Sequence, residues 1–324
     1  MFQLFIHFAF VILLCFDLPA EPAKKGSYEW KNVTTAADFP QGYNYPVFVW
    51  GNKMVAMNNG TWTSADGKTW TRSPLPESGL NSAYQKYVQF NGAIYALGSM
   101  TGNYEGFKIH TKTLRTRDLE TWETLAESTN LPRRVFYGAV VYNGRMWMLG
   151  GFDGKNYLND VWNSSDGVHW EKVADKADWS PRTMGVVVAT TDGITILGGG
   201  VIDGEKEINP NSEKEVWRST DGKSWTRINA NLNRKWRGTP VVFDDKLWLV
   251  GANRGGTFES AVWMTENFTD WKELPAPWSP RGGVAAWVFG NKLYMTGGKS
   301  SQTENGEIKF VYSKDVWSME RKTE

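Results

Sequence analysis

The sequence predicts an all-β chain folded as a ring of six four-stranded blades, a β-propeller whose last blade is completed by a strand from the N-terminal end. Three observations carry that expectation. The 324 residues include 18 Trp, 12 Tyr, 16 Phe and 33 Gly, a composition that favours strands joined by tight turns. Large apolar residues stand eight apart in the pairs Trp62/Trp70, Leu114/Trp122, Trp162/Trp170, Trp217/Trp225 and Trp263/Trp271, and the first members, continued by Trp317, recur every 46 to 55 residues. Trp30 lies 28 residues before Asn58, the spacing that separates Trp70 from Gly98 and Trp122 from Gly150 in later repeats.

The first element is an apolar run, Leu4 to Phe16, interrupted by His7. It fits the core of an export signal and is too short to cross ~30 Å of hydrocarbon as a helix. Residues 1–20 are therefore read as a signal peptide cut after Ala20, and residues 21–324 as one exported propeller domain: periplasmic, cell-surface or secreted. No later stretch approaches membrane length. The single cysteine, Cys15, lies in the signal, so the mature chain has no disulfide, thiolate metal site or cysteine nucleophile. Ile12-Leu13-Leu14-Cys15 faintly resembles a lipoprotein signal, against which the bulky Leu14 speaks. The sequons at Asn32, Asn59, Asn163 and Asn267 are about as many as chance supplies in so Asn-, Ser- and Thr-rich a chain.

Each repeat then reads as two hairpins. The a–b turn falls at Gly51-Asn52, Asn91-Gly92, Asn143-Gly144, Asp192-Gly193, Asp244-Asp245 and Gly290-Asn291, where Asn-Gly and Asp-Gly supply the positive φ of a two-residue connection. The c–d turn falls at Ser64-Ala65-Asp66-Gly67 and its counterparts at 164–167 and 219–222. Four antiparallel strands, a to d, follow for each repeat, with blades at about 42–74, 82–126, 134–174, 182–229, 235–275 and 281–318. The last repeat stops after strand c at Trp317, and Tyr28 to Val33 reads as a strand d without a blade. Pairing the two closes the ring and covers both sheet edges.

The repeats resemble the kelch-type propeller family, which carries a Gly-Gly pair, a spaced aromatic and a Trp. Gly150-Gly151, Tyr157 and Trp170 match fully in the third repeat; Asn58-Asn59, Gly98-Ser99 and Gly251-Ala252 stand where the first, second and fifth repeats need the pair. The shared architecture also resembles the kelch-type N-acetylneuraminate epimerases, which implies an alternative function as a mutarotase acting on an acidic sugar. Their Glu-x-Lys-Pro-Gly-x-Arg segment is not reproduced around Glu205. Galactose oxidase, of the same superfamily, is excluded by inventory: its copper site needs a Cys joined to Tyr and two His ligands, and the mature chain has no Cys.

The binding candidates come from counting back from the glycine position, which gives Arg134, Arg182, Lys235 and Arg281 near the start of the innermost strand, with Arg237 beside Lys235. Thirteen of the tryptophans belong to strands b, c and d and two more, Trp50 and Trp287, to strand a, which leaves Trp179, Trp236 and Trp278 in the d-to-a connections. Those connections share a face with the b–c loops. The eight residues are expected around one mouth of the channel, where they suit a glycan or acidic sugar. The competing expectation is that each Arg ties its blade to a nearby Asp or carbonyl. The b–c loop of blade four, Gly200 to Glu215, is read as the longest and puts Glu205 over the same mouth as a candidate general base, with a solvated charged loop as the competing reading.

The formal charge of +1, from 36 Lys+Arg and 35 Asp+Glu, gives no basic field for nucleic acid. Gly67-Lys68-Thr69 and Gly222-Lys223-Ser224 are hairpin turns, not phosphate loops, since Trp62 and Trp217 stand where the first glycine must be. No metal or cofactor signature is present. The expected function is a monomeric, exported binding module for a glycan or protein partner.

Overall fold

A computed structural model describes residues 27–73, 84–102, 106–202, 211–229, 232, 238–254 and 257–322. The expected signal peptide lies outside them. Among the described residues there are 25 strands and no α-helix. Blade one comprises β2 (Val47–Trp50), β3 (Lys53–Met57), β4 (Thr61–Ser64) and β5 (Thr71–Ser73). Blade two comprises β6 (Lys86–Phe90), β7 (Ala93–Thr101), β8 (Lys108–Thr116) and β9 (Glu123–Ala126). Blade three is β10 (Gly138–Tyr142), β11 (Arg145–Phe152), β12 (Tyr157–Ser164) and β13 (Glu171–Ala174); blade four is β14 (Val186–Thr190), β15 (Gly193–Leu197), β16 (Val216–Ser219) and β17 (Thr226–Asn229). Blade five is β18 (Thr239–Phe243), β19 (Lys246–Arg254), β20 (Thr257–Thr265) and β21 (Lys272–Leu274). Blade six holds β22 (Gly282–Phe289), β23 (Lys292–Glu304), β24 (Glu307–Tyr312) and β25 (Val316–Arg321), and is completed by β1 (Tyr28–Thr34).

The ring closes through β1, which pairs antiparallel with β25 from Tyr28↔Arg321 to Thr34↔Val316. The register proves the equivalence of Trp30 with the other strand-d tryptophans. Trp317 faces Asn32 as Trp162 faces Lys172 and Trp62 faces Arg72, and in each case the Trp two residues earlier is Trp30, Trp170 or Trp70. Tyr28 does a second job. The chain has no c–d turn in blade six, and Tyr28 fills that corner against Trp248 and Phe243 of blade five, its hydroxyl donating to Asp244.

Blades mesh by matching sizes across each seam. A Cβ on the c–d turn residue Gly67 would meet Tyr294 of blade six at 3.0 Å, one on Gly167 would meet Tyr95 at 3.1 Å, and one on Gly222 would meet Trp147 at 2.3 Å. These turns hold glycine both because φ is positive there and because the neighbouring ring occupies the space. Where blade one offers Val55 instead of a ring, the corresponding residue of blade two is Leu119, packed with it and Ile94.

Polar groups close the same turns. The Ser64, Ser164 and Ser219 hydroxyls accept the amides of Gly67, Gly167 and Gly222 at 2.8 Å. The adjoining Asp66, Asp118, Asp166 and Asp221 accept the next two amides, and Asn267 does so in blade five. The Thr121 amide and hydroxyl, with the Glu120 amide, hold Asp118 at about 2. Partial burial raises Asp166, but bonds from His169, Val168 and Ser164 outweigh it and leave it at about 2.

Two expectations follow. Deleting β1 exposes the β25 edge and the Trp248 corner, so the melting temperature should fall or the protein aggregate; an unchanged monomeric melting curve would contradict closure. The depressed turn aspartates stabilise the fold above the unfolded value of about 3.9 and lose that contribution as pH falls toward 2. Replacing Asp118 and Asp166 by Asn, the residue blade five already uses, should flatten the pH dependence of the melting temperature between pH 4 and 2 while preserving the turn geometry.

Candidate functional site

The arginines singled out by spacing sit inside the blades. Arg134 is 2 %, Arg182 0 % and Arg281 5 % exposed. Arg134 makes a forked pair with Asp160 at 2.6 and 2.8 Å and donates to the Gly150 carbonyl. Arg182 bonds Glu215 at 2.7 Å and the Gly198 and Ser212 carbonyls. Arg281 pairs with Asp315 and donates to the Gly297 carbonyl. Each carboxylate stands two residues before the strand-c tryptophan and also accepts that indole's N–H, from Trp162, Trp217 and Trp317 respectively. The unit is an internal tie between strands a, b and c of one blade. The expectation that these guanidinium groups line an open mouth is corrected accordingly: the carboxylates two residues before the strand-c tryptophans draw them into their own blades.

The connection tryptophans are placed likewise. Trp179 is 1 % and Trp278 4 % exposed, and their rings lie edge-on to Trp225 at 6.0 Å and to Trp30 at 4.6 Å. Phe39 against Trp70 and Leu131 in the cluster with Trp170 fill the same position in other blades. Each of these residues caps the strand-d tryptophan of its own blade. They looked surplus because the apolar residue varies along the chain. The acceptor before it is more regular: Asp38, Asn130 and Asp178 each take the amide of that same tryptophan. Glu205, Lys235, Trp236 and Arg237 lie outside the described residues.

The mouth itself is formed by bends at or just before the start of the inner strands. Asn44, Tyr84 and Phe136 adopt φ of 54, 58 and 55°, and Gly283 φ of 65°, at equivalent positions of blades one, two, three and six. These bends join neighbouring blades, with the Asn44 amide bonded to the Gly283 carbonyl and the Met184 amide to the Phe136 carbonyl. The Tyr84 ring packs edge-on to Phe136 at 4.4 Å. Two residues on, desolvation lowers the Lys86 ammonium below the usual lysine range.

The most unusual surface on this face belongs to blade six. Strand β23 runs past the sheet and pairs with β24 in a hairpin turned at Asn305-Gly306, both with positive φ. Ile308, Phe310 and Tyr312 share one side of it with Thr303, Ser301 and Lys299, and Val311, Lys309 and Glu307 occupy the other. Ile308 is 70 % and Phe310 51 % exposed. The apolar side continues to Tyr43 of the blade-one connection, whose ring lies 5.6 Å from Tyr312. The Lys299 ammonium sits over Tyr43 at 4.7 Å and over Phe310 at 4.4 Å. At the base, Asn32, Thr35, Gln41, Tyr312 and Lys314 line an open cleft of about 450 Å³. Sequence reasoning passed over this hairpin, although Asn305-Gly306 between β-prone runs is a strong hairpin signal, because the period of the tryptophans absorbed it into one long repeat.

Residues 20–233 match a family described as a DUF6242 beta propeller domain, and the chain belongs to that family. It is 25 % identical over 203 residues to the leucine-zipper-like transcriptional regulator 1 of Mus musculus, covering 58 % of this chain and 23 % of that protein. It is 24 % identical over 181 residues to the kelch repeat protein M-T8 of Myxoma virus (strain Lausanne), covering 52 % and 33 %, and 24 % identical over 234 residues to alpha-scruin of Limulus polyphemus, covering 67 % and 25 %. The matches span a third or less of these relatives' own length. The solved structure of YjhT superposes with a TM-score of 0.63 at 12 % identity, covering 88 % of this chain and 96 % of that one, a likeness of fold alone. The chain is a kelch-type propeller.

The buried ties should behave as structure. Replacing Arg182 by Ala leaves the enclosed Glu215 without its nearest cation, the Trp217 indole and the more distant Arg227 at 3.6 Å still facing it, and should cost about 3–5 kcal/mol in urea unfolding. A variant as stable as wild type would show that Arg182 is free for another role.

Proposed function

We propose that this chain is an exported interaction module that docks a protein partner on its loop-bearing face, anchored by the blade-six hairpin. The observation that carries the reading is the exposed apolar side of that hairpin, Ile308 and Phe310 continued by Tyr312 and Tyr43. An apolar stripe on a hydrogen-bonded ribbon costs solubility in isolation and gains free energy, roughly 25 cal/mol per Å², once a partner covers it. Large rings in the centre with a polar surround are the usual anchor composition of protein interfaces.

The mutarotase alternative requires an anchoring cation and an acid/base to converge on one sugar. Its best arginines are each committed to a carboxylate of their own blade, which weakens it. A glycan reading draws support from the amide, hydroxyl and aromatic lining of the cleft beneath the hairpin.

A photo-crosslinking residue at Thr303, with a control at Asp192 on the opposite face, tests the proposal. A single protein should be captured from position 303 alone. Its purified form should lose at least tenfold in affinity to the Ile308→Glu/Phe310→Glu variant, with the melting temperature unchanged. Capture from both faces, full affinity for the double variant, or binding confined to a glycan array would overturn it.

A further inference from the structure

Resting on that reading, we infer that the partner contributes an extended strand that adds to the outer edge of β24, with apolar residues at alternate positions and an acidic residue toward Lys299. The argument begins with the turn. A two-residue Asn305-Gly306 connection makes Glu304 and Glu307 the first hydrogen-bonded pair, so Gln302/Lys309 and Ser300/Val311 follow as bonded pairs and Thr303/Ile308 and Ser301/Phe310 as non-bonded ones. The N–H and C=O of Glu307, Lys309 and Val311 therefore serve β23, while those of Ile308 and Phe310 point outward from β24. Among the described residues β24 pairs with β23 alone.

Native sheets blunt such an edge with lysine, proline, a bulge or an inward charge; the one lysine of β24, Lys309, lies on the side away from Ile308 and Phe310 and is paired with Glu304. The β24 segment Glu-Ile-Lys-Phe-Val-Tyr contains no proline, and its register with β23 is unbroken over six pairs. An extended segment with period-two side chains can take the free backbone groups and lay every second residue beside Ile308 and Phe310. A helix packed on the same face would leave those groups in water or unsatisfied.

Charge selects the chemistry of the segment. On the apolar side the one charged residue of the hairpin is Lys299, its ammonium held over two rings and without a carboxylate partner among the described residues. On the other side Lys309 is neutralised by Glu304 at 2.7 Å. The side that a strand would cover thus presents a positive group among aromatic surfaces, complementary to Asp or Glu.

A displayed library of random ten-residue peptides, selected on the wild-type protein and counter-selected on Ile308→Glu/Phe310→Glu, supplies the probe. Enriched peptides should alternate apolar residues and carry Asp or Glu, and Lys299→Met should weaken them several-fold. Phe310→Ala removes the ring, and Phe310→Pro removes the ring and the outward N–H together, so Pro should cost at least tenfold more affinity than Ala. Amide exchange of the unaltered protein gives a reading independent of folding in the proline variant: bound peptide should protect the Ile308 and Phe310 amides and leave Lys309 and Val311 as they were. Equal losses for Ala and Pro with no new protection would overturn strand addition while leaving the docking face intact. Enrichment of peptides without acidic residues, or dimerisation of the free protein through this edge in sedimentation, would also overturn it. Failure of the docking proposal has a separate signature, full partner affinity in the Ile308→Glu/Phe310→Glu variant.

Discussion

Everything in this molecule depends on the pairing of β1 with β25. A propeller blade cannot bury both faces alone; each seam between blades is a hydrophobic layer shared by two sheets, and an open array leaves two such faces and two edges in water. The closure supplies more than hydrogen bonds. Trp30 sits against Trp278, and Tyr28 occupies the corner that a c–d turn fills in the other blades. A single seven-residue strand from the distant end of the chain therefore completes the seam between blades five and six.

Within the blades, buried charge does structural work that sequence spacing alone presents as a ligand site. The Arg–carboxylate–indole unit in blades three, four and six fastens the approach to strand a to the strand-c tryptophan and uses the carbonyl of the first glycine of the pair, which has a left-handed φ. Such a unit is costly to break rather than strongly stabilising, since both ions were hydrated before folding. Its consequence for function is negative but useful. Arg134, Arg182 and Arg281, well placed by periodicity, are satisfied internally, and the proposed recognition surface lies in parts of the chain that break the period.

The ring, its blade number, its closing strand and the turn chemistry were legible because they repeat: Trp spacing, Asn-Gly pairs and Ser-x-Asp-Gly turns each occur several times, and register arithmetic converts them into topology. The tie between Arg134 and Asp160 was half legible, as one of two readings. What could not be weighed was burial, because an Arg sixteen residues before a glycine is the same string whether it faces water or a carboxylate on the next strand but one. Trp179 and Trp278 misled for a related reason: Phe39 and Leu131 perform their task, so identity varies where only size is selected. The hairpin was missed because it occurs once, and a method tuned to recurrence discards what does not recur.

That single occurrence has a mechanical consequence. Strand β23 is continuous from Leu293 and Met295, both fully buried against β22 and β25, to Glu304 at the hairpin tip. The closing strand β1 lies one strand away, on β25. A partner gripping β24 would therefore pull on the same sheet that holds the ring shut, and the ribbon projects from the one blade whose strands come from both ends of the described chain. A hairpin hung on a long flexible loop would lose ordering entropy on binding; one that extends a core strand has lost most of it already on folding. The placement thus joins the most exposed large apolar residue among the described ones, Ile308, to the sheet that closes the ring, which is the arrangement a rigid docking platform requires.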